Sequence, residues 1–191
     1  LAVIEDAAEA LGQSYKDEAC GKLGDISILS FYPNKHITTG EGGMILTDSD
    51  ALASRCRSLR DQCYLPHKRF VHEELGWNMR MSNLQAAVGV AQLEQLDHFL
   101  TLKRRMGNYY NDALADLPLQ PPVASCAYAE NLYWVYGVVL PPEKDAAAIM
   151  TELKTQGIGT RPFFWPMHQQ PALKKRGLFA DADLPVSELL A

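Results

Sequence analysis

Apolar and polar positions along the chain predict short strands alternating with helices. Leu1-Ala-Val-Ile4 is continuously apolar and reads as a buried strand, followed at once by Glu5-Asp6. A β-prone run from Ile26 to Tyr32 stops at the Pro33-Asn34 turn, and a third run, Met44 to Leu46, follows Thr38-Thr-Gly-Glu-Gly-Gly43. Runs bounded by turn residues read as strands, so Lys35 falls on the loop between two of them. Ala7 to Leu11 suits a short helix that Gly12 would end. Asp48 reads as the N-cap of a helix from Ala51 to about Leu59, with basic residues towards its end. Ser82 reads as the cap of a long helical region in which Leu84, Ala87, Val88, Ala91, Leu93, Leu96 and Leu100 fall near helical spacing.

Leu117-Pro118 and Pro121-Pro122 interrupt that pattern and mark a boundary, which divides the chain into residues 1–117 and 118–191. Beyond it a βαβ-like unit is expected: a strand over Leu132–Leu140, an amphipathic helix over Glu143–Gln156 and an extended segment from Gly157. Arg161-Pro-Phe-Phe-Trp-Pro-Met-His168 gathers aromatics and prolines around one histidine, and the prolines exclude a regular helix there. Gln13 to Asp25 reads as short polar strands and turns, and Cys63 to Trp77 as an aromatic, basic loop.

Composition narrows the class without changing this outline. The 191 residues carry a formal charge of −5 and are 47% hydrophobic, an ordinary globular balance. The mild acidity argues against a nucleic-acid surface, and no apolar run reaches membrane-spanning length. Four scattered cysteines without a Cys-x-x-Cys pair suggest reduced thiols and a cytoplasmic protein. Cys56 and Cys63 lie a heptad apart and would share a face if the helix were continuous. His67, His72 and Glu73 lack the spacing of a zinc helix, and no metal is expected. The chain begins with Leu and ends on Pro-Val-Ser-Glu-Leu-Leu-Ala, and it reads as a piece missing both ends.

Candidate chemistry centres on Lys35. A lysine held on tight backbone beside a buried sheet can lose charge by desolvation, as a Schiff-base amine requires. On residue type alone a solvated loop lysine is the simpler reading. Asp6 follows a strand, and ligands in parallel α/β sheets bind outside the carboxyl ends of the strands. The same carboxylate could instead cap the helix over Ala7–Leu11, with Glu9 as its capping-box partner; both readings stand.

Four segments together resemble the DegT/DnrJ/EryC1/StrS aminotransferases: Ile4-Glu-Asp-Ala-Ala-Glu-Ala-Leu-Gly12, Gly24-Asp-Ile, Ser30-Phe-Tyr-Pro-Asn-Lys-His-Ile-Thr-Thr-Gly-Glu-Gly-Gly43 and Gly76-Trp-Asn-Met-Arg-Met81. The likeness runs along essentially the whole chain, with the motifs in order. It implies an α/β fold of the fold-type I pyridoxal-phosphate transferases, similar to aspartate aminotransferase. Residues 1–117 would form the C-terminal part of the large cofactor domain with its linking helix, and 118–191 an incomplete small α/β domain.

The resemblance also implies roles. Lys35 matches the lysine that joins to pyridoxal 5'-phosphate, Asp6 the carboxylate paired with the ring nitrogen, and Glu9 the residue beside the phenolic oxygen. Many relatives have Gln or His at the last position; Glu is seen in perosamine-synthase-like members. Ser30 matches a hydroxyl on the cofactor phosphate, although a strand serine bonded to backbone is the plainer reading. Asn78 matches an asparagine that reaches the phosphate of the neighbouring subunit's cofactor, with Arg80 bracing its loop. His168 is a substrate-contact candidate beside the alternative of a packed structural histidine. The implied activity is transfer of an amino group from L-glutamate to a nucleotide-linked keto-sugar, a 4-keto-6-deoxyhexose by preference, for cell-surface polysaccharide or related glycosides. The implied assembly is a homodimer with shared sites.

One branch of the family dehydrates sugars with histidine at the lysine position. Here Lys35 is present and His36 only follows it, which favours transamination. A non-catalytic regulatory homologue is the other alternative. The phosphate-cradling N-terminal loop of the family would lie upstream of Leu1, and the isolated piece is expected to be poorly active or inactive.

Overall fold

The computed structural model describes residues 1–190. It separates into two compact units, Leu1–Tyr110 with Val123–Tyr136, and Asn111–Pro122 with Gly137–Ala191. Both proline breaks of the sequence therefore lie at the start of the second unit, while the stretch just after them packs with the first.

In the first unit, β1 (Ile4–Asp6) is followed by a small hairpin of β2 (Ser14–Tyr15) and β3 (Glu18–Ala19). Then come β4 (Ile26–Ser30) and β5 (Gly43–Leu46). The sheet order is β1-β4-β5, with β1 parallel and β5 antiparallel to β4. Alternation along β4 turns Ser27 and Leu29 inward. Leu29 joins Ala7, Phe31 and Ile37 in the core, with Leu46, Met81, Leu96 and Phe99 packed around them. The core thus lies directly beneath the loop that carries Lys35.

Several expectations are corrected here. The first strand begins at Ile4 rather than Leu1, and it is not buried: Ile4 is 72% exposed, and β1 is the edge strand of its sheet. Ala7–Leu11 forms no helix. Asp6 Oδ1 accepts from Ala8 N at 3.1 Å, and Ala10 N and Gln13 N bond three residues back, so the chain closes successive tight turns instead. Helix α1 (Asp50–Arg60) is capped by Ser49 rather than Asp48, with Arg57 and Arg60 in its last turn as expected. It stops before Cys63 because Gln62 and Cys63 adopt positive φ, so Cys56 and Cys63 share no helix face. The loop-like stretch after it contains a hairpin, β6 (Tyr64–Leu65) and β7 (Lys68–His72).

Ser82 caps as expected, in a capping box with Gln85, but the helical region is two helices, α2 (Asn83–Leu93) and α3 (Leu96–Ala113). Gln95 N bonds to Gln92 O rather than one residue further back, which breaks the ladder between them. A short hairpin of β8 (Ser125–Cys126) and β9 (Ala129–Glu130) precedes the segment expected as the strand Leu132–Leu140. That strand does not form. Asn131 Oδ1 accepts from Tyr133 N at 2.7 Å and Tyr133 turns to φ 51°, leaving one isolated bridge, Gln120 to Val139.

The second unit holds α4 (Ala146–Thr155), capped by Asp145 three residues later than expected. Residues 157–166 run without a strand into a single 3₁₀ turn, Met167–Gln169. Short helices α5 (Pro171–Lys174) and α6 (Pro185–Leu189) follow. Among the described residues no helix is long and apolar enough to cross a membrane.

Candidate active site

Parallel pairing of β1 and β4 decides where the chemistry collects. With Asp6 opposite Ile28, both strands run out at the same edge of the sheet, so Asp6 and the loop after Ser30 emerge side by side. Asp6 is exposed there. Its neighbour Glu5 faces the other way, as strand alternation demands, and its carboxylate accepts from Gly21 N (2.7 Å), Leu23 N (2.8 Å) and Ser27 Oγ (2.8 Å). Burial pushes the Glu5 carboxyl up, but the Gly21 amide, the Ser27 hydroxyl and the Leu23 amide outweigh it and hold it below the usual range. Glu5 thereby pins the end of β1 that presents Asp6.

The loop from Phe31 to Gly42 is tied down along its length. Phe31 N donates to Gly42 O and Thr39 N to Phe31 O, each at 3.0 Å. The Thr38 hydroxyl donates to Phe31 O at 2.8 Å, and Gln92 of α2 accepts from Thr38 N at 2.9 Å. Gly43 opens β5 where a Cβ would lie 2.6 Å from the Leu29 carbonyl oxygen, so only glycine lets β5 close against β4. Within the glycine-rich stretch, Gly43 thus makes room for the neighbouring strand.

On this frame the Lys35 side chain is 11% exposed. Its Nζ lies 3.3 Å from Glu9 Oε1 and 3.9 Å from the centroid of the Trp134 ring. Glu9 sits on the tight turns after Asp6, so one turn supplies both carboxylates. An open groove of about 240 Å³, lined by Glu9, Ala10, Gln13, Asn131 and Trp134, opens Glu9 and the Trp134 ring to solvent. His36 is buried, and its Nε2 has no hydrogen-bond partner among the described residues. Burial first, and then the Lys103 charge, lower its pKa against an opposing backbone hydrogen bond at Leu132, with the Lys35 charge adding to the lowering.

The other expected residues are spread more widely. Ser30 closes β4, and its hydroxyl accepts from Tyr32 N at 3.3 Å. Asn78 is exposed on the loop after the β6–β7 hairpin, bridged to Asp61, whose carboxylate lies 3.1 Å from Arg80 Nη1. His168 belongs to the second unit, where it is 6% exposed and its Nε2 lies 2.9 Å from Glu188 Oε1. A substrate contact through that nitrogen would compete with the pair. Trp134, Lys103 and Glu5 escaped the reading of the sequence. Trp134 was hidden inside an apolar run that read as a strand, while Glu5 stood in plain view beside Asp6.

A model of the DegT/DnrJ/EryC1/StrS aminotransferase family matches residues 1–191. The chain belongs to this family. It is 41% identical over 193 residues to the GDP-perosamine synthase of Caulobacter vibrioides, covering 98% of this chain and 51% of that protein. Against the GDP-perosamine synthase of Vibrio cholerae the identity is 40% over 173 residues, 90% of this chain and 47% of that one. A crystal structure of a DegT DnrJ EryC1 StrS aminotransferase from Brucella abortus superposes with a TM-score of 0.85 at 29% identity, covering all of this chain and 50% of that chain. The architecture is accordingly the α/β arrangement of the fold-type I pyridoxal-phosphate aminotransferases, as expected. The chain spans about half the length of the family members it matches.

Proposed function

We propose that the full-length protein carrying this chain is a pyridoxal-phosphate-dependent aminotransferase that aminates a nucleotide-linked 4-keto-6-deoxyhexose, with L-glutamate as amino donor. The observation that carries this reading is the Lys35 amine, nearly buried, 3.3 Å from Glu9 and at the same sheet edge as Asp6. An amine, an exposed carboxylate at a strand end and a second carboxylate beside the amine fit the functional groups of the cofactor. Family membership and the likeness to two GDP-perosamine synthases favour a GDP-linked sugar.

Bound pyridoxal phosphate supplies an electron sink for the substrate carbon that loses its proton. The protein does the rest. Lys35 would hold the cofactor covalently and, once displaced by the amino donor, carry a proton on Nζ between substrate carbon and cofactor carbon. Asp6 would keep the ring nitrogen protonated by ordinary charge attraction. Glu9 would lie beside the phenolic oxygen, Ser30 beside the phosphate, and Asn78 beside the phosphate of a partner subunit's cofactor. His168 would be a substrate-contact candidate. This reading further places a homodimer in the cytoplasm, with residues 1–117 in the large domain and 118–191 in the small one.

Borohydride reduction of the full-length protein, followed by peptide mass spectrometry, is expected to fix pyridoxal phosphate on Lys35. A screen of GDP-, UDP- and dTDP-linked 4-keto sugars with L-glutamate is expected to give amination, with GDP best. Failure to fix the cofactor, or full activity in Lys35→Ala, would remove the reading.

A further inference from the structure

Trp134 lies under the Lys35 amine, yet its own position is set by bonds in which Lys35 takes no part. Its indole Nε1 donates to the carbonyl of Asn34 at 2.9 Å, the residue just before the lysine. Lys103 Nζ donates to the Trp134 carbonyl at 3.2 Å from helix α3. The preceding Tyr133 is 2% exposed and seated on Gly107 of α3, where a Cβ would come within 2.3 Å of its ring. Its amide is held by Asn131 Oδ1 at 2.7 Å. A ring fixed in this way from both sides is a template onto which a flexible lysine settles. The face it presents, 3.9 Å from Nζ, attracts an ammonium through the ring quadrupole.

We infer that Trp134 is a positioning residue for Lys35: its ring face and the Glu9 carboxylate together hold the side-chain nitrogen in one place while it carries a proton and is not bonded to a carbonyl carbon. A lysine side chain has four rotatable bonds and loses much entropy on being fixed. An amine that wandered after displacement would have to be recaptured before it could move a proton. Trp134 and Glu9 keep it within reach of the same atoms. The inference rests on the reading of Lys35 as the cofactor-holding lysine, but its test does not need the loaded enzyme.

In the cofactor-free full-length protein, Lys35 is acetylated with an N-hydroxysuccinimide ester. Its rate is read by peptide mass spectrometry against the exposed Lys22. Tryptophan analogues with one to four ring fluorines at position 134 keep the shape of the side chain while draining the ring face. The relative rate at Lys35 is expected to rise stepwise across the series, by about five-fold in total. Trp134→Leu is expected to match or exceed the last member, and Trp134→Phe, which keeps a ring face, to stay within about two-fold of the parent. In the loaded enzyme the same series is expected to lower kcat while leaving KM for the amino donor unchanged. A rate indifferent to fluorination would overturn the inference even if Trp134→Leu failed to fold, since packing alone is blind to ring electrons. A stepwise rise without borohydride-fixed cofactor would instead uphold the coupling of Lys35 to Trp134 and remove the proposed activity.

Discussion

Two short stretches each carry a candidate site residue beside prolines and aromatics, Lys35 in one and His168 in the other, and they are held in different ways. The Lys35 loop is anchored by backbone bonds across its mouth, by Gln92 of α2, and by the Trp134 indole on the Asn34 carbonyl. The stretch from Arg161 to His168 forms no strand, and Phe163, Phe164 and Trp165 are each more than half exposed. There the histidine is held by its bond to Glu188 on α6. A loop anchored at many points can aim a side chain without depending on that side chain's own ion pair. A segment whose aromatic side chains stay in solvent depends on the one charged partner its histidine finds.

The largest test of this difference removes the side chain that the first loop exists to aim. Lys35→Ala in the full-length protein is expected to reduce amination by about 10²–10⁴-fold or more, the usual worth of positioned proton transfer. Because the loop is held by its backbone, the thermal midpoint should move little. A large fall in stability would mean that Lys35 is part of the anchoring. Gly43→Ala attacks the anchoring itself. Its Cβ would meet the Leu29 carbonyl oxygen at 2.6 Å, and backbone cannot step aside as a side chain can. A loss of about 1–3 kcal/mol in urea denaturation is expected. An unchanged midpoint would show that β5 can shift without harm.

A third, smaller effect is a pH limb belonging to the first loop. The folded protein lowers the pKa of His36, so as pH falls the unfolded chain takes up that proton first. The contribution is complete above the ordinary imidazole value of 6.5 and is lost as pH drops from there through the lowered folded value. His36→Phe is expected to flatten that part of the stability profile, measured as the urea midpoint against pH. A profile identical to the parent's would assign the limb to another group.

The smallest effect concerns the second stretch. The hydrogen bond with His168, and next that with Gln169, hold the Glu188 carboxyl below its usual range. The pair therefore contributes above the ordinary carboxylate value and fades as pH falls through the lowered one. Glu188→Gln is expected to speed amide exchange in α6 and around Met167–Gln169 while leaving the global midpoint unchanged. Equal exchange in both proteins would show that the histidine is held by packing instead.

Much of the frame around Lys35 was legible because its signals are local. The Pro33-Asn34 stop, the strand before it and the helix cap at Ser82 depend on residues within a few positions of one another. The ordered motifs from Ile4 to Met81 were enough to point to the family. Less legible were features where nearby polar groups compete with the regular element. Asp6 closes a tight turn where a helix was expected, and Asn131 turns Tyr133 out of a strand. Both are cases of a side chain offering the backbone a bond that propensity does not count.

The sequence by itself determined that a lysine would stand on a loop between two strands, with a carboxylate at the end of another. Tertiary structure decided what surrounds that lysine. Parallel pairing of β1 and β4 brought Asp6 to the same edge, the turn after it swung Glu9 to within 3.3 Å, and a segment 100 residues beyond Asn34 placed an indole under the amine. Hydrogen bonds within a turn are fixed by neighbours in the chain. The ion pair and the ring contact at Lys35 arise only because packing brings distant stretches together, so no local pattern records them.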